Sequence, residues 1–119
     1  MRHFKLSEFD CKETGENKMD ADFLTLIDEL RDRCGFPFVI NSGYRSKEHS
    51  AEVKKRRAGV SAYRIGTHVQ GIASDVKCNS AQAYIIMKEA FAMGFTGIAR
   101  GDGFVHLDIR NSTPVVWTY

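Results

Sequence analysis

Apolar residues recur at three- and four-residue steps between Asp20 and Cys34, where Phe23, Leu24, Ile27, Leu30 and Cys34 share one side of a predicted helix that Gly35 stops. Phe36-Pro37-Phe38-Val39-Ile40 is a short continuous apolar run ending in the turn-like Asn41-Ser42-Gly43, which predicts a buried strand. Ser46 is the expected N-cap of a polar helix reaching about Arg57, and residues 58–67, with Gly59 and Gly66 and little periodicity, form an expected loop. Ile72 to Lys77 alternates as a strand does. Asn79 or Ser80 then caps a helix through about Met93, with Ala83, Ile86, Met87, Ala90 and Phe91 inward and Gly94 as its stop. Two alternating runs, Gly97–Arg100 and Phe104–Ile109, flank Gly101-Asp102-Gly103 and predict a hairpin, and Pro114–Trp117 suits an edge strand. Residues 1–18 read as an irregular polar arm anchored by Phe9. Helices and strands mix without a βαβ rhythm, so the expected fold is α+β: one domain over 1–119, an antiparallel sheet flanked by helices.

Composition changes this picture little. The 119 residues are 43% hydrophobic and 27% charged, an ordinary globular balance in a chain of one-domain length. A domain of this size buries roughly two-thirds of its unfolded surface, so it needs neither disulfide nor metal merely to form a core. The formal net charge of +2 is too mild for a dedicated nucleic-acid binder, and the one dense basic run, Lys54-Lys55-Arg56-Arg57, reads as a solvated helix face. Cys11, Cys34 and Cys78 are odd in number and widely spaced, which argues against a disulfide framework or a cysteine zinc site and for small buried side chains. The N-terminus lacks the apolar core of a secretory signal, and no run of eighteen apolar residues marks a membrane span. A monomer is expected.

Of the four histidines, His3 and His49 have no partner at ligand-like spacing and read as surface residues. His106 and Asp108 share one face of their strand while Val105 and Leu107 point into the core, a pattern that half exposure alone would explain. His68 precedes Asp75 by a turn containing Gly71 and small Ala73, a spacing that lets the two converge. Two imidazoles and a carboxylate suffice for a catalytic zinc with one position left for water.

These residues also carry a resemblance. His68-x-x-Gly71-x-Ala73-x-Asp75, followed by Phe104-Val105-His106-Leu107-Asp108 and preceded by Asn41-Ser42-Gly43-Tyr44-Arg45-Ser46, resembles the zinc D-alanyl-D-alanine peptidase family, and Ser7-Glu8-Phe9-Asp10-Cys11 and Trp117-Thr118-Tyr119 resemble its short carboxypeptidase-like branch. The resemblance implies a DD-peptidase-like (hedgehog-like) fold, zinc held by His68, Asp75 and His106, and Arg45 anchoring or polarising the substrate carbonyl or carboxylate. It implies hydrolysis of peptidoglycan stem or cross-bridge peptides at a bond involving D-alanine, by a carboxypeptidase or endopeptidase, with the loop at 58–67 expected to decide which. Many relatives place an acid a few residues before the last histidine. Three before His106 stands Gly103, so Asp102, four before, is the expected general base, with Asp108 as the fallback or as the group that orients His106. Gly66 stands where the family often has serine, and Thr67 or Ser61 is the expected substitute. Without a signal peptide, the expected setting is a phage or prophage lytic protein released by other means; the competing expectation is a zinc-containing peptidoglycan-binding module without activity.

Overall fold

The computed structural model describes residues 1–57 and 66–119. A 3-10 turn, Leu6–Phe9, opens the chain, and the elements that follow are α1 (Ala21–Cys34), β1 (Val39–Ser42), α2 (Ser50–Arg57), β2 (Ala73–Lys77), α3 (Ser80–Met93), β3 (Gly97–Gly101), β4 (Phe104–Asp108) and β5 (Val115–Thr118). The fold is α+β, as the mixed periodicities predict. Both long helices carry the expected ends: Asp20 accepts from the Phe23 N–H and Asn79 from the Gln82 N–H, while Gly35 and Gly94 terminate them. No helix among the described residues is long and apolar enough to cross a membrane. Most of the expected loop, residues 58–65 with Ser61, lies outside the described residues.

Local expectations change in two helices: Phe91, expected inward on α3, is exposed, and α2 starts later than expected. The helix expected from Ser46 begins at Ser50. Ser46 is instead buried against Cys11, whose Sγ accepts its N–H at 3.5 Å. The cap of α2 comes from the N-terminal arm: Glu13 accepts from both the N–H and the Oγ of Ser50 and pairs with His49 at 2.8 Å.

The five strands form one sheet in the order β1-β2-β4-β3-β5. The first four are antiparallel neighbours, but β5 joins the edge beside β3 in parallel, so the sheet is mixed. The cause is geometric. The end of β4 lies beside the start of β3, Asp108 opposite Gly97, and a short link over residues 109–114 delivers β5 to that same end, Val115 opposite Gly97. A link of that length carries the chain past one strand but not back along its length.

Val76, Ile98, Val105 and Leu107 face α1 and α3, where Phe23, Ile27, Leu30, Ile86 and Ala90 complete the core. The other face carries Asp75, Phe104, His106 and Asp108, because side chains alternate across a strand. On that face the register aligns a row, Asp75 opposite His106, His106 opposite Ala99, Ala99 opposite Trp117. Strand β3 contributes only Gly97, Ala99 and Gly101 to this face. A Cβ at Gly97 would stand 2.2 Å from the Asp108 carboxylate oxygens, and one at Gly101 would stand 2.1 Å from the Phe104 ring. Side chains of β4 thus lie over a floor that is nearly bare backbone.

Candidate metal centre

His106 reaches the site from the middle of β4 and Asp75 from the middle of β2, directly across the ladder. Their side chains meet with Asp75 Oδ1 3.0 Å from His106 Nδ1. His68 arrives from the turn before β2. Its carbonyl accepts from the N–H of Arg45 and of Gly71, and Gly71, at φ 74°, makes that turn possible while letting residue 18 pass within contact of its backbone. His68 Nε2 then stands 3.4 Å from the same Asp75 oxygen.

The outward nitrogens are committed. His68 Nδ1 donates to the Gly43 carbonyl at 2.9 Å, which can only accept, so its Nε2 offers a lone pair. His106 Nε2 donates to Asp108 at 2.8 Å. Asp108 is fully buried and accepts further hydrogen bonds from the backbone N–H and guanidinium of Arg110. It is therefore the group that orients His106, with its oxygens committed to that ring and to Arg110.

The electrostatics agree. Burial opposes charge at Asp75, yet hydrogen bonds from His106 and His68 hold its carboxyl well below the usual carboxylate range. Burial also disfavours protonated His106, but the Asp108 and Asp75 carboxylates on its two sides outweigh it and raise its pKa. The pocket thus favours positive charge at the point where the three side chains meet.

One donor atom each from His68, Asp75 and His106 lies within 4.8 Å of the others. Two neutral nitrogens and a carboxylate, each imidazole steered by a hydrogen bond behind it, fit zinc in ligand type, number and support. These three residues can hold the metal the sequence expects of them.

The triad opens into a cleft of about 420 Å3 whose walls include Arg45, Glu52, Thr67, Phe104, Trp117 and Tyr119. Arg45 is thus brought to the site, as expected, and Thr67 and Gly66 line it too. Asp102 is not. It sits exposed in the β3–β4 turn, beyond Phe104, and is absent from the cleft wall, so the general-base role expected of it finds no support in this geometry. The Asp-Gly pair serves the turn, with Gly103 at φ 78°.

Glu52 is the wall residue that sequence reasoning missed. It is 1% exposed and pairs with Arg45 at 3.4 Å. The available signal was slight: Glu52 is the one acid in the otherwise basic helical run Ser50–Arg57.

The family model for peptidase M15 matches residues 2–108. The chain belongs to the peptidase M15 family. That match takes in all three triad residues and Arg45, and makes this a metallopeptidase family member whose zinc would be held by His68, Asp75 and His106. No curated protein matches the chain.

Proposed function

We propose that this protein is a zinc-dependent peptidase that hydrolyses amide bonds in peptidoglycan stem or cross-link peptides, at a bond involving D-alanine. The observation that carries the reading is the convergence of His68, Asp75 and His106 at the base of a cleft that also presents Arg45. Family membership supports peptide hydrolysis; the peptidoglycan substrate rests on the motif resemblance.

Zinc in such a site supplies Lewis acidity and a bound water of near-neutral pKa. The chain's own residues do the rest. Arg45 Nε is buried with no hydrogen-bond partner among the described residues, a donor available to a carbonyl or carboxylate oxygen in the cleft. Glu52 pairs with the Arg45 guanidinium in the lining of the cleft and, with Asp75 engaged by two imidazoles, is the carboxylate we assign to proton transfer from the attacking water to the leaving nitrogen. Asp108 keeps His106 in the tautomer that faces the triad.

The position of Asp102 outside the cleft also favours a second reading, a metal-holding peptidoglycan binder that does not cleave. We place either activity at the cell wall.

The test is mass spectrometry of purified muropeptides after incubation with zinc-loaded protein. Loss of terminal D-alanine or a split cross-link is expected, abolished by chelator and by His106→Ala. Bound zinc and retained muropeptides without any product would overturn the enzyme reading and leave the binder.

A further inference from the structure

The family match ends at Asp108, yet the cleft does not. Trp117 and Tyr119 come from β5 and its end, on the sheet face that carries the triad. The Trp117 ring lies 5.1 Å from the His106 ring, which it reaches because Ala99 stands between them in the row. On its own side Trp117 is held by the Arg110 guanidinium, 4.8 Å from the ring centre. Tyr119 packs on Phe104 at 5.2 Å and leaves most of its surface open. The three rings supply the aromatic part of a cleft whose lining also includes Arg45 and Glu52.

Rings so placed form a surface for something small and apolar. The polar atoms of this wall are few, the Trp117 indole N–H and the Tyr119 hydroxyl, and most of its surface is ring. It suits a methyl group and the flat face of a peptide unit. We propose that Trp117 and Tyr119 are specificity-determining residues: with Phe104 they form an aromatic shelf beside the triad that receives the alanine-sized side chain next to the bond to be cut. This rests on the peptidase reading above and extends it to residues outside the family match.

The test compares two acyl-peptides ending in D-alanyl-D-alanine and in glycyl-D-alanine, assayed on zinc-loaded wild type, Trp117→Leu, Tyr119→Ala and Tyr119→Phe. Wild type is expected to favour the alanyl peptide about tenfold or more in kcat/KM, the order expected for one methyl in an apolar pocket. Trp117→Leu and Tyr119→Ala are expected to bring the ratio toward unity while retaining one zinc per chain; Tyr119→Phe is expected to keep it. An unchanged ratio in Tyr119→Ala, an exposed position where folding is not at stake, would overturn the shelf. So would loss of zinc from Trp117→Leu with an intact ratio in Tyr119→Ala, since the rings would then only support His106.

If wild type cleaves neither peptide and releases nothing from cross-linked muropeptides, the peptidase reading fails and the shelf is judged separately. Trp117 is the only tryptophan, so its emission reports on this wall alone. A saturable shift with the alanyl peptide, weaker with the glycyl one and lost in Tyr119→Ala, is expected; no shift with either would overturn the shelf.

Discussion

Asp108 binds His106 from two residues along the same strand, with 2.8 Å between carboxylate and Nε2. The contact is possible because β3 presents Gly97 opposite Asp108 and leaves room for the carboxylate. Asp108→Ala is expected to weaken zinc affinity by about 10–100-fold, the usual effect of losing the partner behind a ligating histidine. Gly97→Ala should act the same way without touching a polar group, because its methyl claims the carboxylate's place. Competition titration against a chelator of known affinity measures both. Wild-type affinity in Gly97→Ala would refute the argument.

The apo protein is expected to stay folded. The core excludes the triad, and the three side chains satisfy one another by hydrogen bonding. Chelation should leave the far-ultraviolet dichroism unchanged, and zinc at 100 times Kd should add about 2.7 kcal/mol of stability. Cu2+ or Co2+ should quench Trp117, whose ring neighbours His106, and His68→Ala should remove most of the quenching at equal metal concentration.

Glu52 and Asp102 give opposite expectations. Glu52→Gln should lower kcat by about 10^2–10^4-fold, the range for loss of a general base, with zinc retained. Asp102→Asn should stay within about twofold of wild type. The reverse result would return the proton-transfer role to the turn.

Asp28 ties the N-terminal arm to α1 through the backbone N–H groups of Arg2 and His3 at 3.0 and 2.9 Å. Burial works against its charge, but those donors outweigh it and lower its pKa. Folding therefore favours the carboxylate. Its contribution is present above the ordinary carboxylate range, around pH 4, and is lost as pH falls through the lowered folded value. Asp28→Ala should cost about 1–3 kcal/mol at neutral pH, the penalty for leaving buried donors unpaired. Denaturant titrations of Asp28→Asn should show a flatter decline in stability below pH 4 than wild type.

What the sequence disclosed follows from how local each signal is. The periodicity of Phe23, Ile27 and Leu30, the caps at Asp20 and Asn79 and the Asp102-Gly103 turn are decided within a few residues, and each is found where expected. His68, Asp75 and His106 were legible because two sit at alternating strand positions and the third at a glycine turn. Glu52 was not, since its path to the cleft runs through the packing of α2, and the grip of Glu13 on Ser50 that begins that helix spans 37 residues. The parallel course of β5 was hidden for a similar reason: pattern marks a strand, while the length of its link decides its direction. Asp102 was expected from the family's habit of placing an acid a few residues before the last histidine; here that position falls in the β3–β4 turn and is not among the residues lining the cleft.

The near-bare floor of β3 has a consequence for how this cleft can change. With Gly97 and Gly101 each covered by a neighbour's side chain, any larger residue there disturbs the metal's support or the Phe104 wall before it touches a substrate. Among the described residues, this leaves Arg45, Glu52, Thr67, Trp117 and Tyr119 as the lining positions where selectivity can be varied. A variant library meant to redirect this protein to another bond should leave β3 alone and sample those lining residues.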